Sequence, residues 1–309
     1  MRADLLHVVA VVSNPIRWQS RIKLYRAFEA HMLASGVRLT TVECAYGERP
    51  FELTGTPGVT YVHVRANSLL WIKEPLINIG LSRLPSDWKY AAWIDADVVF
   101  RQPNWAAETV HALQQYPVVQ PWSDCLDLGP NGELMETHRA FCRLVHEDQP
   151  VMQGPNAGSS PYRFGHPGYA WAATRSFLEA TGGLLETAGL GAADHHMALG
   201  LIGRAADSIP TGIHQNYRAD VMRWQARADQ AARRGISYVD GVIEHAFHGA
   251  KPLRQYVDRW GILIDERYDP IDDTKRNTWG VLELAGNKPV LQHKIDRYFR
   301  QRNEDANSM

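Results

Sequence analysis

Cysteine is scarce in this chain: Cys44, Cys125 and Cys142 are three among 309 residues and show no metal-ligand or redox spacing. So sparse and odd-numbered a set argues against a secreted disulfide scaffold and fits a reducing cytosol. Charge of one sign is not in excess, with 33 Lys and Arg against 34 Asp and Glu. No global basic field therefore draws the chain to nucleic acid. Apolar runs of membrane length are also missing. The run from Leu5 to Val12 falls well short of the roughly 20 residues of a membrane helix, and no small-residue cleavage pattern follows it. The expectation is a cytoplasmic protein without a membrane span.

What is present is the make-up of a folded chain: 45% hydrophobic, 22% charged and 10% aromatic residues. That length buries a substantial core, as one large α/β domain or two joined halves. Leu5 to Ser13 reads as a buried strand. Asn14 offers an N-cap, Pro15 suits a first helical turn, and Ile22, Tyr25, Phe28, Met32 and Leu33 mark an apolar stripe ending at Gly36. Val37 to Tyr46 and Tyr61 to Val64 follow as strands, then a helix through Leu76 to Leu84. Further on, a helix from Trp105 and a strand from Pro117 to Gln120 are expected, then a strand from Tyr169 to Ala173 and a short helix closed by Gly182 and Gly183. A helix from Val221 to Arg234 and a strand from Tyr238 to Phe247 come later, and the last 40 or so residues read as a helical tail fraying after Arg302. The alternation predicts a mostly parallel sheet covered by helices, with ligands beyond the carboxyl ends of its strands. Ser123 to Gly165, rich in Gly, Pro and polar residues, reads as an active-site loop.

Three constellations carry chemistry. Ala91 to Phe100 is apolar except for Asp95 and Asp97 and reads as one buried strand. On a strand these two carboxylates project to one side and can approach one hard cation; the bland alternative is a capped, solvated strand end. The second is Glu244-His-Ala-Phe-His-Gly249, where His245 and His248 are candidate ligands for a divalent metal, or one is a ligand and the other a packed core residue. Lys251 and Arg254 follow, placed to neutralise a diphosphate or simply to be solvated. The third is Gly189-Leu-Gly-Ala-Ala-Asp194, which presents an acid at a helix start. Asp194 is either a helix cap or a general base toward a hydroxyl.

The runs Trp71-Ile-Lys-Glu-Pro-Leu-Ile-Asn-Ile-Gly80 and Trp93-Ile-Asp-Ala-Asp-Val-Val-Phe100 resemble those of GT-A-fold glycosyltransferases. Gly168-Tyr-Ala-Trp-Ala172 with Gly182-Gly-Leu-Leu185 adds to the likeness. The pattern is similar to the β-1,4-galactosyltransferase and polypeptide N-acetylgalactosaminyltransferase branch, and to glycosyltransferase-like proteins of bacteria and their phages. The resemblance implies a GT-A, Rossmann-like α/β domain over residues 1–265, with a donor half to about 120, an acceptor half beyond it and a helical extension over 266–309. It implies Mn²⁺ or Mg²⁺ on Asp97, with the pair His245 and His248 completing the site and Asp95 contacting metal or ribose. It further implies a nucleotide-sugar donor, UDP-sugar favoured, held by Asn14, Arg17 and Glu43 with Lys73 near its phosphates, and Asp194 as the base of an inverting transfer. This chain has Ala192-Ala-Asp-His195 where the galactosyltransferases carry a run of acids, and it lacks their tryptophan-containing loop.

The acceptor is expected to be a saccharide or other small hydroxyl compound, or a hydroxymethylated base in DNA. The second rests on the phage-like resemblance and on basic stretches at Arg218 to Arg234 and Lys294 to Arg302. A sugar-1-phosphate nucleotidyltransferase is the alternative enzyme, although Ser13-Asn-Pro-Ile-Arg17 contains no glycine for its usual phosphate loop. An inactive nucleotide-sugar-binding module is the alternative that does no chemistry.

Overall fold

The apolar run that opens the chain forms β1 (Leu6–Ser13), and its two faces enter two different cores. Val9 joins a cluster with Val42, Leu76, Trp93 and Trp171. Leu6, Val8 and Ala10 join Tyr25, Phe28 and Trp105 on the other side. A strand buried on both faces reads as continuous hydrophobicity, which is the pattern of a sheet covered by helices on both sides. The computed structural model describes residues 2–152, 164–233, 235–255 and 258–306.

In chain order β1 is followed by α1 (Gln19–Ala34), β2 (Arg38–Tyr46), β3 (Val59–Ala66), α2 (Lys73–Ser82), β4 (Tyr90–Ile94) and β5 (Val98–Phe100). Next come α3 (Trp105–Leu113), β6 (Val118–Gln120), β7 (Asp124–Leu128), β8 (Leu134–Ala140), α4 (Phe141–His146), β9 (Gly165–His166) and β10 (Ala170–Thr174). The chain continues through α5 (Arg175–Thr181), α6 (Ala193–Gly200), α7 (Gln215–Ala231), β11 (Ile236–Tyr238) and β12 (Val242–His245). It ends with α8 (Arg259–Asp265), the hairpin β13 (Thr274–Arg276) and β14 (Leu282–Leu284), and α9 (Pro289–Gln301).

The result is a mixed α/β fold with a parallel-rich central sheet flanked by helices. Its seven strands run β11-β6-β10-β4-β1-β2-β3. β4, β1, β2 and β3 are mutually parallel, and β10 lies antiparallel between β4 and β6. A second sheet, β5-β12-β7-β8-β9, stands beside it.

The expected single strands Ala91 to Phe100 and Tyr238 to Phe247 are each two strands, because the chain leaves the large sheet and enters the small one. β4 gives way to β5 at a turn closed by Val98 N donating to Asp95 O at 3.2 Å. β11 gives way to β12 through residues 239–241, and β6 to β7 through 121–123. Buried apolar residues flank the breaks closely, Ile94 and Val98 at one and Val239 and Ile243 at another, so hydrophobicity alone does not reveal them.

Of the described part of the stretch Ser123 to Gly165, more than half is regular structure, in β7, β8 and α4; residues 153–163 lie outside the described residues. Residues 134–137 of β8 are exposed, Leu134 and Met135 among them, so this strand does not carry the apolar pattern of a buried one. The final stretch is not wholly helical, since a hairpin precedes α9. Nor does it fray at Arg302: Arg302 and Glu304 are buried, and Arg21 Nη2 donates to Glu304 Oε1 at 2.7 Å. Asp305 receives Gln19 N at 2.9 Å and Ser20 N at 2.8 Å, and so caps α1. Asn14, expected in that role, instead bonds both backbone groups of Trp18, at 2.8 Å each, and shapes the approach to the helix.

On the other face of the large sheet α2 lies unusually close to β1. A Cβ on Gly80 would fall 2.5 Å from Val9 Cγ1, so this helix turn requires glycine. The same helix presents Asn78, which accepts from Leu184 N at 2.8 Å and donates to Leu184 O at 3.0 Å. The two separated sequence runs around Asn78 and Gly182-Gly183 thus meet.

Candidate metal centre and nucleotide cleft

β4 is central in the large sheet, and its carboxyl end delivers Asp95 to the junction of the two sheets. The turn that follows sends the two aspartates to different partners. Asp95 forms an ion pair with Lys73, the first residue of α2. Asp97 faces His248, with Oδ2 at 3.2 Å from Nε2, and His245, with Oδ1 at 3.8 Å from Nε2. The two imidazole Nε2 atoms are 3.2 Å apart. Ligand atoms of Asp97, His245 and His248 all lie within 4.8 Å of one another. Asp95 is not in that cluster, so the strand geometry expected to aim both carboxylates at one cation does not occur: a turn, not a pleat, separates them.

Register explains the convergence. β12 lies between β5 and β7, which sets His245 opposite Val98 on one side and opposite Asp127 on the other. Ala246 N then donates to Asp97 O at 2.9 Å and ties the start of the histidine loop to the aspartate turn. Gly249 turns the chain just after His248 with φ 92°, and a Cβ there would meet Glu304 Cα at 3.0 Å and Asn303 O at 3.1 Å. The C-terminal residues therefore pack directly behind the ligand loop.

The electrostatics are those of a site short of positive charge at its centre. Asp97 Oδ1 is buried without a hydrogen-bond partner. Burial raises the Asp97 carboxyl above its usual range, against the opposing pull of His245. Burial, helped by Arg254 and His245, holds the His248 imidazole well below its ordinary value and so keeps it neutral. A carboxylate and two imidazoles around a desolvated oxygen form a donor set suited to a divalent cation.

Behind His245 lies a second cluster that sequence reasoning missed. His245 Nδ1 is 2.7 Å from Asp127 Oδ1. Asp127 also meets Lys251 Nζ at 2.5 Å and His138 Nε2 at 3.7 Å. Burial works to raise this carboxyl, but hydrogen bonds with His138, His245 and Lys251 hold it well below the usual carboxylate range. Lys251 reaches Glu136 as well, at 2.8 Å, and so bridges two acids of the protein. Arg254, in contrast, is buried close enough that both Asp97 and His248 feel its charge. In β7 Cys125 and Asp127 face inward, but Asp-Cys-Leu-Asp-Leu does not alternate polar with apolar residues, so no local pattern marks Asp127.

Asp194 stands on the other side of Lys73. Seven of the eight residues of α6 are buried, and Asp194 is the partly exposed exception. Its Oδ1 accepts from His195 N at 2.8 Å, while a Cβ on Gly168 would lie 3.3 Å from Oδ2. Next to Gly168, Tyr169 is held at φ 72°, and its carbonyl accepts Asp95 N at 2.8 Å. That strained residue couples the Asp194 side of the site to the aspartate turn. Lys73 sits among Asp95, Glu74 and Asp194; burial lowers its ammonium pKa, but the three acids outweigh it and raise it above its ordinary value.

Beyond the ends of β1 and β2 lies a cleft of ≈ 110 Å³ lined by Asn14, Arg17, Glu43, Tyr46 and Arg49, among others. Glu43 is buried there and accepts from Glu52 N at 2.7 Å and Leu53 N at 3.0 Å, so both its oxygens shape the cleft wall. Arg17 is exposed at φ 68°. A larger cavity, ≈ 600 Å³, lies among His214, Asp269, Asp273 and Lys288 and contains none of the residues singled out by the sequence. Its buried acids are already matched, Asp273 by Lys288 at 2.8 Å and Asp269 by Asn216 at 2.8 Å.

No family model matches the chain, and no curated protein does. Solved structures do resemble it in outline. The catalytic domain of Drosophila β1,4-galactosyltransferase 7 in complex with xylobiose is 10% identical, covers 93% of this chain and 98% of its own, and has a TM-score of 0.40. S. aureus TarS 1-349 is 9% identical over 81% of this chain and 62% of its own, with a TM-score of 0.38. The inositol-1-phosphate CTP transferase of T. maritima is 10% identical over 79% and 89%, with a TM-score of 0.37. Likeness at this level assigns no activity.

Proposed function

We propose that this protein is a metal-dependent, inverting glycosyltransferase of GT-A type that moves a sugar from a nucleotide donor to an acceptor hydroxyl. The observation carrying this reading is the Asp97, His245 and His248 cluster around a buried carboxylate oxygen with no hydrogen-bond partner. An ionised carboxylate left so costs several kcal/mol, and a divalent cation offsets that cost. Asp97, His245 and His248 would hold the ion, and two imidazoles beside one carboxylate favour Mn²⁺ over Mg²⁺. When bound, the ion neutralises charge developing on the departing nucleoside diphosphate.

The remaining roles belong to the chain itself. Arg254 adds fixed positive charge beside the cation site, and the cleft of Asn14, Arg17 and Glu43 receives the nucleoside, with a UDP-sugar as the favoured donor. Lys73 holds Asp95 by its ion pair and sits close to Asp194. Asp194 takes the proton from the acceptor hydroxyl.

For the acceptor, a saccharide or other small hydroxyl compound is favoured over a hydroxymethylated DNA base. In the two basic stretches Lys294 pairs with Glu266 at 2.5 Å, Arg223 pairs with Asp220 at 3.1 Å, and Arg302 is buried. Arg234 lies outside the described residues. The charges of Lys294, Arg223 and Arg302 are matched or buried within the protein, which weakens the pull of the two stretches on a phosphate backbone. Retention on modified over plain DNA with a steep salt dependence would reverse that preference.

The reading is tested by nucleotide-sugar hydrolysis with Mn²⁺ and with EDTA. Expected are loss of turnover in EDTA and a fall of about two orders of magnitude or more for Asp97→Asn. Asp194→Asn should lower transfer by about 10²–10⁴-fold while leaving donor binding intact. Wild-type rates in EDTA or in Asp97→Asn would sink the metal assignment.

A further inference from the structure

We infer that Asp127 is the positioning residue of the cation site: it fixes His245 as the Nδ1–H tautomer and so aims a bare Nε2 at Asp97 and His248. The inference rests on the metal reading above and extends it to a residue that touches no cation. Asp127 Oδ1 lies 2.7 Å from His245 Nδ1, and both side chains are almost fully buried, at 4% and 5% exposure. A carboxylate can only accept in this contact, so Nδ1 must carry the proton. A neutral imidazole then has its lone pair on Nε2, the atom facing His248 Nε2 at 3.2 Å and Asp97 Oδ1 at 3.8 Å. A carboxylate behind a histidine in this way sets ring orientation and raises ligand basicity.

Asp127 is itself held. β7 pairs with β12 so that Asp127 stands opposite His245, and with β8 so that it stands opposite Glu136. Its second oxygen receives Lys251 Nζ at 2.5 Å and lies 3.7 Å from His138 Nε2. Asp127, Glu136 and His138 bring their ligand atoms within 4.8 Å of one another and could be read as a second metal site. Lys251 already supplies the positive charge there, bridging Asp127 and Glu136. The two clusters therefore divide the work: Asp97, His245 and His248 take the one cation, and the Lys251-neutralised cluster keeps Asp127 ionised and in place.

Three measurements on the full chain test this. In ¹⁵N-histidine-labelled protein without metal, the resonance assigned to His245 by its loss in His245→Gln should show a protonated Nδ1 and an unprotonated Nε2. The reverse tautomer overturns the proposal whatever the variants do. Free Mn²⁺ followed by electron paramagnetic resonance should show one ion bound per wild-type chain, and about 10–100-fold weaker binding in Asp127→Asn with unchanged stoichiometry. Two ions per chain, or wild-type affinity in a folded Asp127→Asn, overturns it. Absence of Mn²⁺ binding by the wild type would remove the metal reading as well. Normal Mn²⁺ binding and tautomer without any nucleotide-sugar turnover would remove the transferase reading and leave this one standing.

Discussion

Glu74 shows how much a single buried acid shapes this site. It follows Lys73 on α2, is 4% exposed, and burial pushes its carboxyl up to about 7, with Lys73 opposing and Asp194 adding to the shift. A folded-state value above the unfolded one means that the native state binds more protons over that interval, so stability falls as pH rises through it. The loss should run from about pH 4.5 to a little above 7 and reach on the order of 3 kcal/mol at most. Glu74→Gln should flatten this dependence: thermal melts between pH 5 and 8 should show a smaller drop in Tm than wild type. An identical drop in both proteins would mean that Glu74 ionises without cost. At the same scale, Asp97, Asp194, His245 and His248 stood out in the sequence because polar groups interrupt apolar or glycine-rich runs. Asp127 and Glu74 did not, because a lone acid in a mixed segment has the same local appearance whether it is buried or solvated.

Among the elements, α1 depends on a residue far from it in the chain. The helix has no side-chain cap of its own, and Asp305 accepts from Gln19 N and Ser20 N. Beside that cap, Glu304 pairs with Arg21 and Arg302, directly behind Gly249 and the ligand loop. Asp305→Ala should therefore lower stability by about 1 kcal/mol, read as a shift in the urea midpoint. A variant as stable as wild type would show that the cap contributes nothing. The elements themselves were largely legible: β1, α1, β2, α2 and α5 fall close to where periodicity and punctuation put them. The breaks between β4 and β5 and between β11 and β12 were not. Buried apolar residues stand on both sides of each break, and burial is what hydrophobic patterning records.

For the whole molecule, the proposed cation site draws on β12 and on the turn between β4 and β5, with support from β7 and the C-terminal residues. Ligand binding to such an assembled site stabilises the folded state alone. Mn²⁺ at 100 times its Kd should add about 2.7 kcal/mol, seen as a rise in Tm that EDTA reverses and Asp97→Asn lacks. A metal-independent Tm would argue that the three ligands are only neighbours. Among the described residues no helix is long and apolar enough to cross a membrane, in keeping with the absence of such a run in the sequence.

The α/β alternation, the buried strands and the residue types able to bind a cation or take a proton are written in the chain locally, because they follow from periodicity and side-chain chemistry. Which of them meet is set by turns and strand pairing in the folded chain. Asp95 goes to Lys73 and Asp97 to the histidines because a turn rotates one away from the other. Lys251 bridges Asp127 and Glu136, and His245 acquires a carboxylate behind it, because β12 pairs with β7 in one register. Strand pairing between segments more than 100 residues apart leaves no mark on either segment alone, and that pairing is what makes the site.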